Sequence, residues 1–574
     1  MKQNSFNLHL SLSLSVVILL YLFSSISAQV VYEPVYKDVY TYLGRLSQKG
    51  IIIFDDQIKP LSRKYIAEKL LEADADLNRL TPLEKEELDF YKKDYYFELH
   101  GLITPDSLSA HSERNEQAAA RSTILGKDPS GRNRLFSYDS QVFKVNVSPI
   151  IGYEAGKKDQ ESYSHKWTGL YFYGYLANKI GFSFDYRDNT EKGNNADKNK
   201  IFSPVTGNII ALQQGNSFDY SEARTSLAVD WSWGSIAIAK DFLEWGYGES
   251  GKLVLSSKAP SFPFIRLDIK PVDWLSFNYI HAWLNSDVVD SQATYASYRP
   301  GQSYDRVSFR QKFLASHSLN IRPVKGLDVT LGESIIYSDR LEVSYFMPLM
   351  FFRLADHYLS QGRNNAGGNA QFFGSISSRN HIKNTHLYGT MFIDELTLSG
   401  LLDPEKQRTQ VGFTLGGSIA DLSFLNLNLN LSLTLEYTKI YPFVYKHYIP
   451  TLTYTSSGYG MGHWMGDNAD LFYGAVNYRF LRGLQATLWG EHVRKGEYDP
   501  IEGATLQYVR PQPPFLFGLR NNYTWGGVDV KYEITHELFA RARFVYNSVD
   551  QEQTRDLTIG NKFNEMYLSV YYGL

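Results

Sequence analysis

The sequence predicts an all-β transmembrane barrel of antiparallel strands, preceded by a small helical unit. Three observations predict it. The N-terminus has the form of a secretion signal. Long stretches of the chain alternate apolar and polar residues with period two, as strands with one greasy face must. No later stretch approaches the roughly 20 apolar residues that a spanning helix needs, so any crossing of a bilayer is made with strands.

Composition agrees. Charged residues are 21% of the 574-residue chain, aromatics 15%, and there are 42 tyrosines. Tyrosine suits a barrel, where it joins interfacial girdles or lines a polar lumen. The formal charge of -3 leaves no general basic surface and no case for nucleic-acid binding. Cysteine is absent, which excludes disulfides, thiolate metal sites and an acylated lipoprotein anchor.

The elements follow in order. Residues 1–28 read as the signal: Lys2 supplies the positive end, Val16 to Phe23 the apolar core, and Ser27-Ala28 the small residues before a cut at Gln29. Residues 29–125 read as a helical head. Val39, Tyr42, Leu43 and Leu46 have helical spacing, closed by Gly50. Ser62 caps a second helix with Ile66, Leu70 and Leu71 on one face. Thr81-Pro82-Leu83-Glu84 combines a capping threonine, proline in the first turn and glutamate three residues on, with Leu83, Leu88 and Tyr91 facing inward. A further polar helix is expected from Ser107 to Arg121. Such a unit sits on the soluble side or plugs one end of the barrel.

Residues 140–574 read as the barrel. Phe143, Val145 and Val147 alternate with Lys144 and Asn146. Tyr171, Tyr173 and Tyr175 share one face of an aromatic strand over Trp167 to Ala177. Phe277, Tyr279, His281 and Trp283 alternate with Asn278 and Ala282. Leu425, Leu427, Leu429, Leu431, Leu433 and Leu435 alternate with Asn, Ser and Thr, which predicts one spanning strand. Phe472 to Phe480 and Leu484 to Leu488 form a pair across Arg482-Gly483. The last fifty residues alternate throughout: Val528, Val530 and Tyr532; Ala540, Ala542, Phe544 and Tyr546; Met566, Leu568, Val570, Tyr572 and Leu574. Their partners Asp529, Lys531, Glu533, Arg541 and Arg543 are expected to face the lumen and neutralise one another, the alternative being a polar path for ions or sugars. The length allows roughly 16–20 strands, with an even number expected. Long polar connections at Asn189 to Gly215, Asp287 to Asp305, Gln361 to Asn369 and Gly458 to Asp470 face outward, where recognition commonly resides.

Four motifs resemble the Wzi family of outer-membrane capsule-assembly proteins: Glu244 to Pro263 (EWGYGESGKLVLSSKAPSFP), Leu387 to Glu395 (LYGTMFIDE), Gly466 to Phe472 (GDNADLF), and the head segment Leu43 to Gly50 with Pro60-Leu61-Ser62-Arg63. The resemblance implies an 18-stranded barrel with an N-terminal helical bundle on the periplasmic side. It also implies a role in attaching exported capsular polysaccharide to the cell surface, with lectin-like behaviour.

Candidate ligand residues lie in two glycine-rich loops. Trp245, Tyr247 and Glu249 stand beside Gly246, Gly248 and Gly251; His463, Trp464, Asp467 and Asp470 offer the same mix. Aromatic faces stack on pyranose rings and carboxylates accept hydroxyl hydrogen bonds. The plainer reading of these aromatics is loop packing or an interfacial girdle. Enzyme signals are thin. Asp394-Glu395 is an adjacent pair in a strand, so its carboxylates point to opposite faces, and the 13 histidines show no HExxH spacing. No catalytic residue, metal or other cofactor is assigned. The expected role is non-catalytic binding or organisation of surface polysaccharide in the outer membrane. Expected partners are that glycan, membrane lipid and lipopolysaccharide, and a periplasmic protein at the head. The alternatives are a porin or polysaccharide-export channel, and a scaffold for another envelope complex.

Overall fold

The computed structural model describes residues 30–102, 120–177, 179–360, 367–396, 409–424, 427–428, 430–554 and 557–573. The signal segment, most of the expected polar helix, part of the leucine run, residues 361–366 and Leu574 lie outside the described residues.

Eighteen antiparallel strands close on themselves. The first six are β1 (Phe143–Lys158), β2 (Glu161–Leu176), β3 (Ile180–Lys192), β4 (Ser217–Trp231), β5 (Gly234–Asp241) and β6 (Phe262–Val272). The middle six are β7 (Leu275–Val289), β8 (Phe309–Val324), β9 (Leu327–Ser338), β10 (Asn369–Arg379), β11 (Thr385–Leu396) and β12 (Thr409–Ile419). The last six are β13 (Leu431–Ile440), β14 (Ala469–Leu481), β15 (Leu484–Glu497), β16 (Leu519–Thr535), β17 (Leu538–Thr554) and β18 (Leu557–Tyr572). The ring closes where β18 pairs with β1, Tyr567 opposite Gly156 and Tyr571 opposite Gly152. Closure leaves no unpaired edge for the bilayer to meet.

The faces obey the alternation. Leu415, Phe472, Leu488, Leu568 and Val570 point outward and are exposed, as a lipid-facing band requires. On the lumen side Arg541 clasps Asp529 with its Nε 2.9 Å from the carboxylate, and Lys531 reaches Asp38 of the head at 2.9 Å. The Arg482-Gly483 turn joins β14 and β15, with Gly483 in the left-handed region at φ +79°.

Two expectations need correction. The leucine run is not one strand. Leu427–Asn428 folds back on Ser423–Phe424, and only Leu431, Leu433 and Leu435 enter β13. The alternation continues through a turn, and a pattern of faces does not mark where the chain reverses. Arg121, expected at a helix end, begins a strand. Arg121–Lys127 and Asn133–Asp139 form a hairpin that extends the barrel sheet beside β1. The barrel sheet therefore starts ahead of residue 140.

The head contains α1 (Val39–Gln48), α2 (Arg63–Asp74), α3 (Pro82–Asp94) and α4 (Tyr96–Leu102). Ser62 caps α2 by accepting from Tyr65 N at 3.1 Å. At α3 the capping box is complete: Glu84 N donates to Thr81 Oγ1, and Thr81 N to the Glu84 carboxylate. Leu43, Leu46, Ile66, Leu70 and Leu88 make its core. The unit sits inside the short-turn end of the barrel, the end that faces the periplasm in this architecture. It docks by buried charge. Arg63, paired inside the head with Glu33 and Glu98 and 4.3 Å from the Tyr95 ring, lies equally close to the Tyr173 ring of β2 in the wall. Arg379 of β10 binds Asp56 at 2.7 Å, and Arg479 of β14 binds Glu87 at 2.5 Å. Contact is close enough that a Cβ on Gly181 would collide with the Val30 carbonyl.

Candidate functional site

The long loops do not simply project. Residues 242–261, between β5 and β6, turn into the lumen and descend to the head. Glu244–Trp245 pairs there with Ile58–Lys59. Gly246 donates its N–H to Gln57 O at 2.9 Å from the left-handed region at φ +99°, a conformation that favours glycine. The connection from Tyr441 to Asn468, between β13 and β14, folds in over it. Ser256 N donates to Met461 O at 2.7 Å, and Tyr445 Oη to Leu253 O at 2.6 Å. Trp245, Leu253, Val254, Tyr454, Met461 and Met465 join lumen-facing wall residues in the largest apolar cluster among the described residues. The lumen is thus filled from both ends.

The loop tip is pinned to the wall by one carboxylate. Glu436 of β13 is buried and accepts from Glu249 N at 2.6 Å, Ser250 N at 2.9 Å, Tyr388 Oη at 2.6 Å, and the Ser250 hydroxyl.

The structure separates the seven residues singled out from sequence. Trp245 is 1% exposed and packs edge-on to Phe373, with no ring face open to a ligand. His463 is buried, and burial together with the nearby Lys252 pushes its imidazole down to about 3. Asp467 accepts from Phe443 N and from the Tyr498 hydroxyl. Asp470 belongs to β14 and holds the Arg494 guanidinium at 2.5 and 2.9 Å. Four of the seven are therefore packing or pairing groups. Tyr247, Glu249 and Trp464 line a polar lumen cavity of about 670 Å³, which runs from Arg482 and Gly483 at the short-turn end up to Trp464. Trp464 Nε1 donates to Ser250 O at 2.7 Å and its ring stacks at 5.5 Å on Trp525. Among the described residues no group of three His, Cys, Asp or Glu is placed to hold a metal ion.

A second cleft, of about 680 Å³, lies at the long-loop rim. It is made where three of the polar loops meet, at residues 199–209, at the tops of β7 and β8, and at residues 457–459. Asn199, Asn285, Asp287 and Gln311 are exposed there beside the half-exposed Phe309 ring. Tyr459 ties the walls together: its hydroxyl donates to Asn199 O at 2.8 Å and accepts from Asn208 N at 3.2 Å. Asn285 Nδ2 donates to Ser457 Oγ at 2.9 Å. Both cavities fall within the size of small-ligand sites. Sequence reasoning marked these loops but not Asn285, Gln311 or Phe309. Asn285 lies near the end of β7 and Phe309 and Gln311 at the start of β8, and the signal for the two amides was their place at the strand ends.

Together these features define an outer-membrane β-barrel with a plugged lumen and a helical head. No family model and no curated protein matches the sequence. Among solved structures the chain is similar to Wzi of Escherichia coli, described as an outer-membrane protein involved in group 1 capsule assembly and a carbohydrate-binding β-barrel. The TM-score is 0.54 at 13% identity, over 95% of this chain and 100% of that one. The chain thus has a Wzi-like fold, and at that identity the likeness is one of fold. OprD of Pseudomonas aeruginosa aligns with TM-score 0.39 at 12% identity over 81% of this chain and 99% of that one. OccAB2 of Acinetobacter baumannii aligns with TM-score 0.39 at 11% identity over 74% and 97%.

Proposed function

We propose that this protein binds surface polysaccharide at the long-loop rim of its barrel and holds it at the cell, without catalysis. The observation that carries the reading is the filled lumen. A barrel blocked by its head and by two inward-folded loops offers no wide conduit, so its chemistry falls to the surfaces that remain. The rim cleft supplies what a sugar needs: amide and carboxylate groups for hydroxyls, and the Phe309 ring for an apolar sugar face. The Wzi-like fold supports the same class of ligand.

The test is binding of purified, detergent-solubilised barrel to polysaccharide extracted from the source cells. The Asn285→Ala/Gln311→Ala double variant is expected to lose about tenfold or more in affinity, since each lost hydrogen bond contributes about 0.5–1.5 kcal/mol. Unchanged binding, with the barrel intact, would move the site elsewhere. The polar cavity between head and wall favours a second reading, a gated channel. Planar bilayers separate the two: the binding reading expects silence, and steady wide conductance would support the channel.

A further inference from the structure

We propose that residues 339–360 form a strap that lies in the outer leaflet against the outside wall of the barrel, with lipid acyl chains as its partner. The strand faces show which side it occupies. On β7, β8 and β9, Ile280, Ala282, Leu314 and Ile336 face the lumen, packed with Trp245 and Leu253 of the inward loop. The alternate residues Tyr279, His281, Phe313, Ile335 and Tyr337 therefore face outward. They should be as bare as Leu331 on the same wall, which is 67% exposed. Instead they are buried, His281 completely, beneath Tyr345, Phe352 and Leu359.

The strap also satisfies polar groups that a bare lipid-facing wall would leave stranded in hydrocarbon. Glu333 points outward from β9. Its carboxylate accepts the first N–H groups of helix α5 (Phe352–Ser360), from Phe352 at 2.9 Å and Arg353 at 2.5 Å. His317 of β8 stands 3.6 Å from that carboxylate, with the Phe352 ring at 4.4 Å. His281 Nε2 is 2.7 Å from Tyr337 Oη, and Phe346 stacks on the imidazole at 3.9 Å. Glu333 and His317 are each two residues from an exposed, lipid-facing leucine, Leu331 and Leu319, or about 7 Å along the strand. The strap's inner face therefore sits at the depth of the apolar band.

Its outer face is largely apolar, with the exposed Arg353 and His357 as the polar residues on helix α5. Val343, Met347, Leu349, Leu354 and Tyr358 are exposed, Leu354 by 63%. In water such a patch is a liability. Beside Leu319, Leu331 and Ile376 it continues the surface that hydrocarbon already covers. That continuity is what selects lipid over a protein partner.

The chain has no cysteine, so single cysteines report cleanly. Leu354→Cys and Tyr358→Cys would be prepared beside Leu331→Cys on the bare wall and Tyr298→Cys in the exposed hairpin Tyr295–Arg299/Gln302–Arg306. The full-length variants would be reconstituted in phospholipid vesicles, and barrel folding checked by heat-dependent gel migration. The strap cysteines are expected to react with a membrane-impermeant maleimide about tenfold more slowly than Tyr298→Cys, as burial in an apolar phase requires. Fluorophores attached there are expected to be quenched by nitroxide-bearing acyl chains to the same degree as at Leu331→Cys. Reaction as fast as Tyr298→Cys without quenching would place the strap in water and overturn the proposal. Cross-linking between copies through Leu354→Cys, with quenching lost, would assign the face to a second barrel and overturn it equally.

Discussion

Glu436→Ala should release the tip of the inward loop while leaving the barrel closed. In the native protein one buried carboxylate receives two backbone N–H groups and two hydroxyls, three of these bonds from Glu249 and Ser250 of the loop. Hydrogen bonds to a charged acceptor contribute about 1.5–3 kcal/mol each. Bonds sharing one acceptor do not add, and water from the adjoining cavity replaces part of the loss, so about 3 kcal/mol is a fair net value. At 1.4 kcal/mol per tenfold, the open population of the tip rises roughly a hundredfold. Hydrogen exchange read by mass spectrometry reports this directly, because the Glu249 and Ser250 amides are the groups that lose their acceptor. Exchange over residues 246–252 should accelerate by that factor, with β13 and β14 unchanged. Native-like protection in the variant would refute the reasoning and leave the apolar cluster around Leu253 as the sole anchor.

Other expectations follow from the same geometry. Arg63→Met leaves Glu33 and Glu98 buried without their cation. All three belong to the head, so the change should destabilise the head's own fold by about 3–5 kcal/mol, seen as faster proteolysis within residues 30–102 of an intact barrel. Thr81→Ala breaks the capping box and should cost about 1 kcal/mol, seen as faster amide exchange over the first turn of α3. His463 is held neutral, its value lowered from 6.5 to about 3 by burial and Lys252. The unfolded segment takes up a proton across that window and the folded one does not. Stability of residues 441–468 should therefore fall as pH drops below 6.5, by about 1.4 kcal/mol per unit, and His463→Gln should flatten the profile of protease resistance.

The sequence alone determined the barrel and the character of the head. Period-two alternation states which side of each strand is greasy. A closed ring is the one arrangement that satisfies strand backbones in hydrocarbon. Thr81 and Glu84 announced their helix because capping is a contact within one turn. Lumen charges such as Asp529 and Arg541 were legible for the same reason, as neighbours on paired strands.

Only the tertiary structure decided where the loops go. Trp245 reads as a sugar platform in one dimension, yet it is sealed between the head and Phe373, which lies more than a hundred residues away along the chain. The outward His281 and Glu333 look like faults in a lipid-facing pattern until residues 339–360 are seen to cover them. Alternation assigns a residue to a face of its own strand. What covers that face depends on contacts formed after the ring has closed, between segments whose local sequence carries no sign of one another.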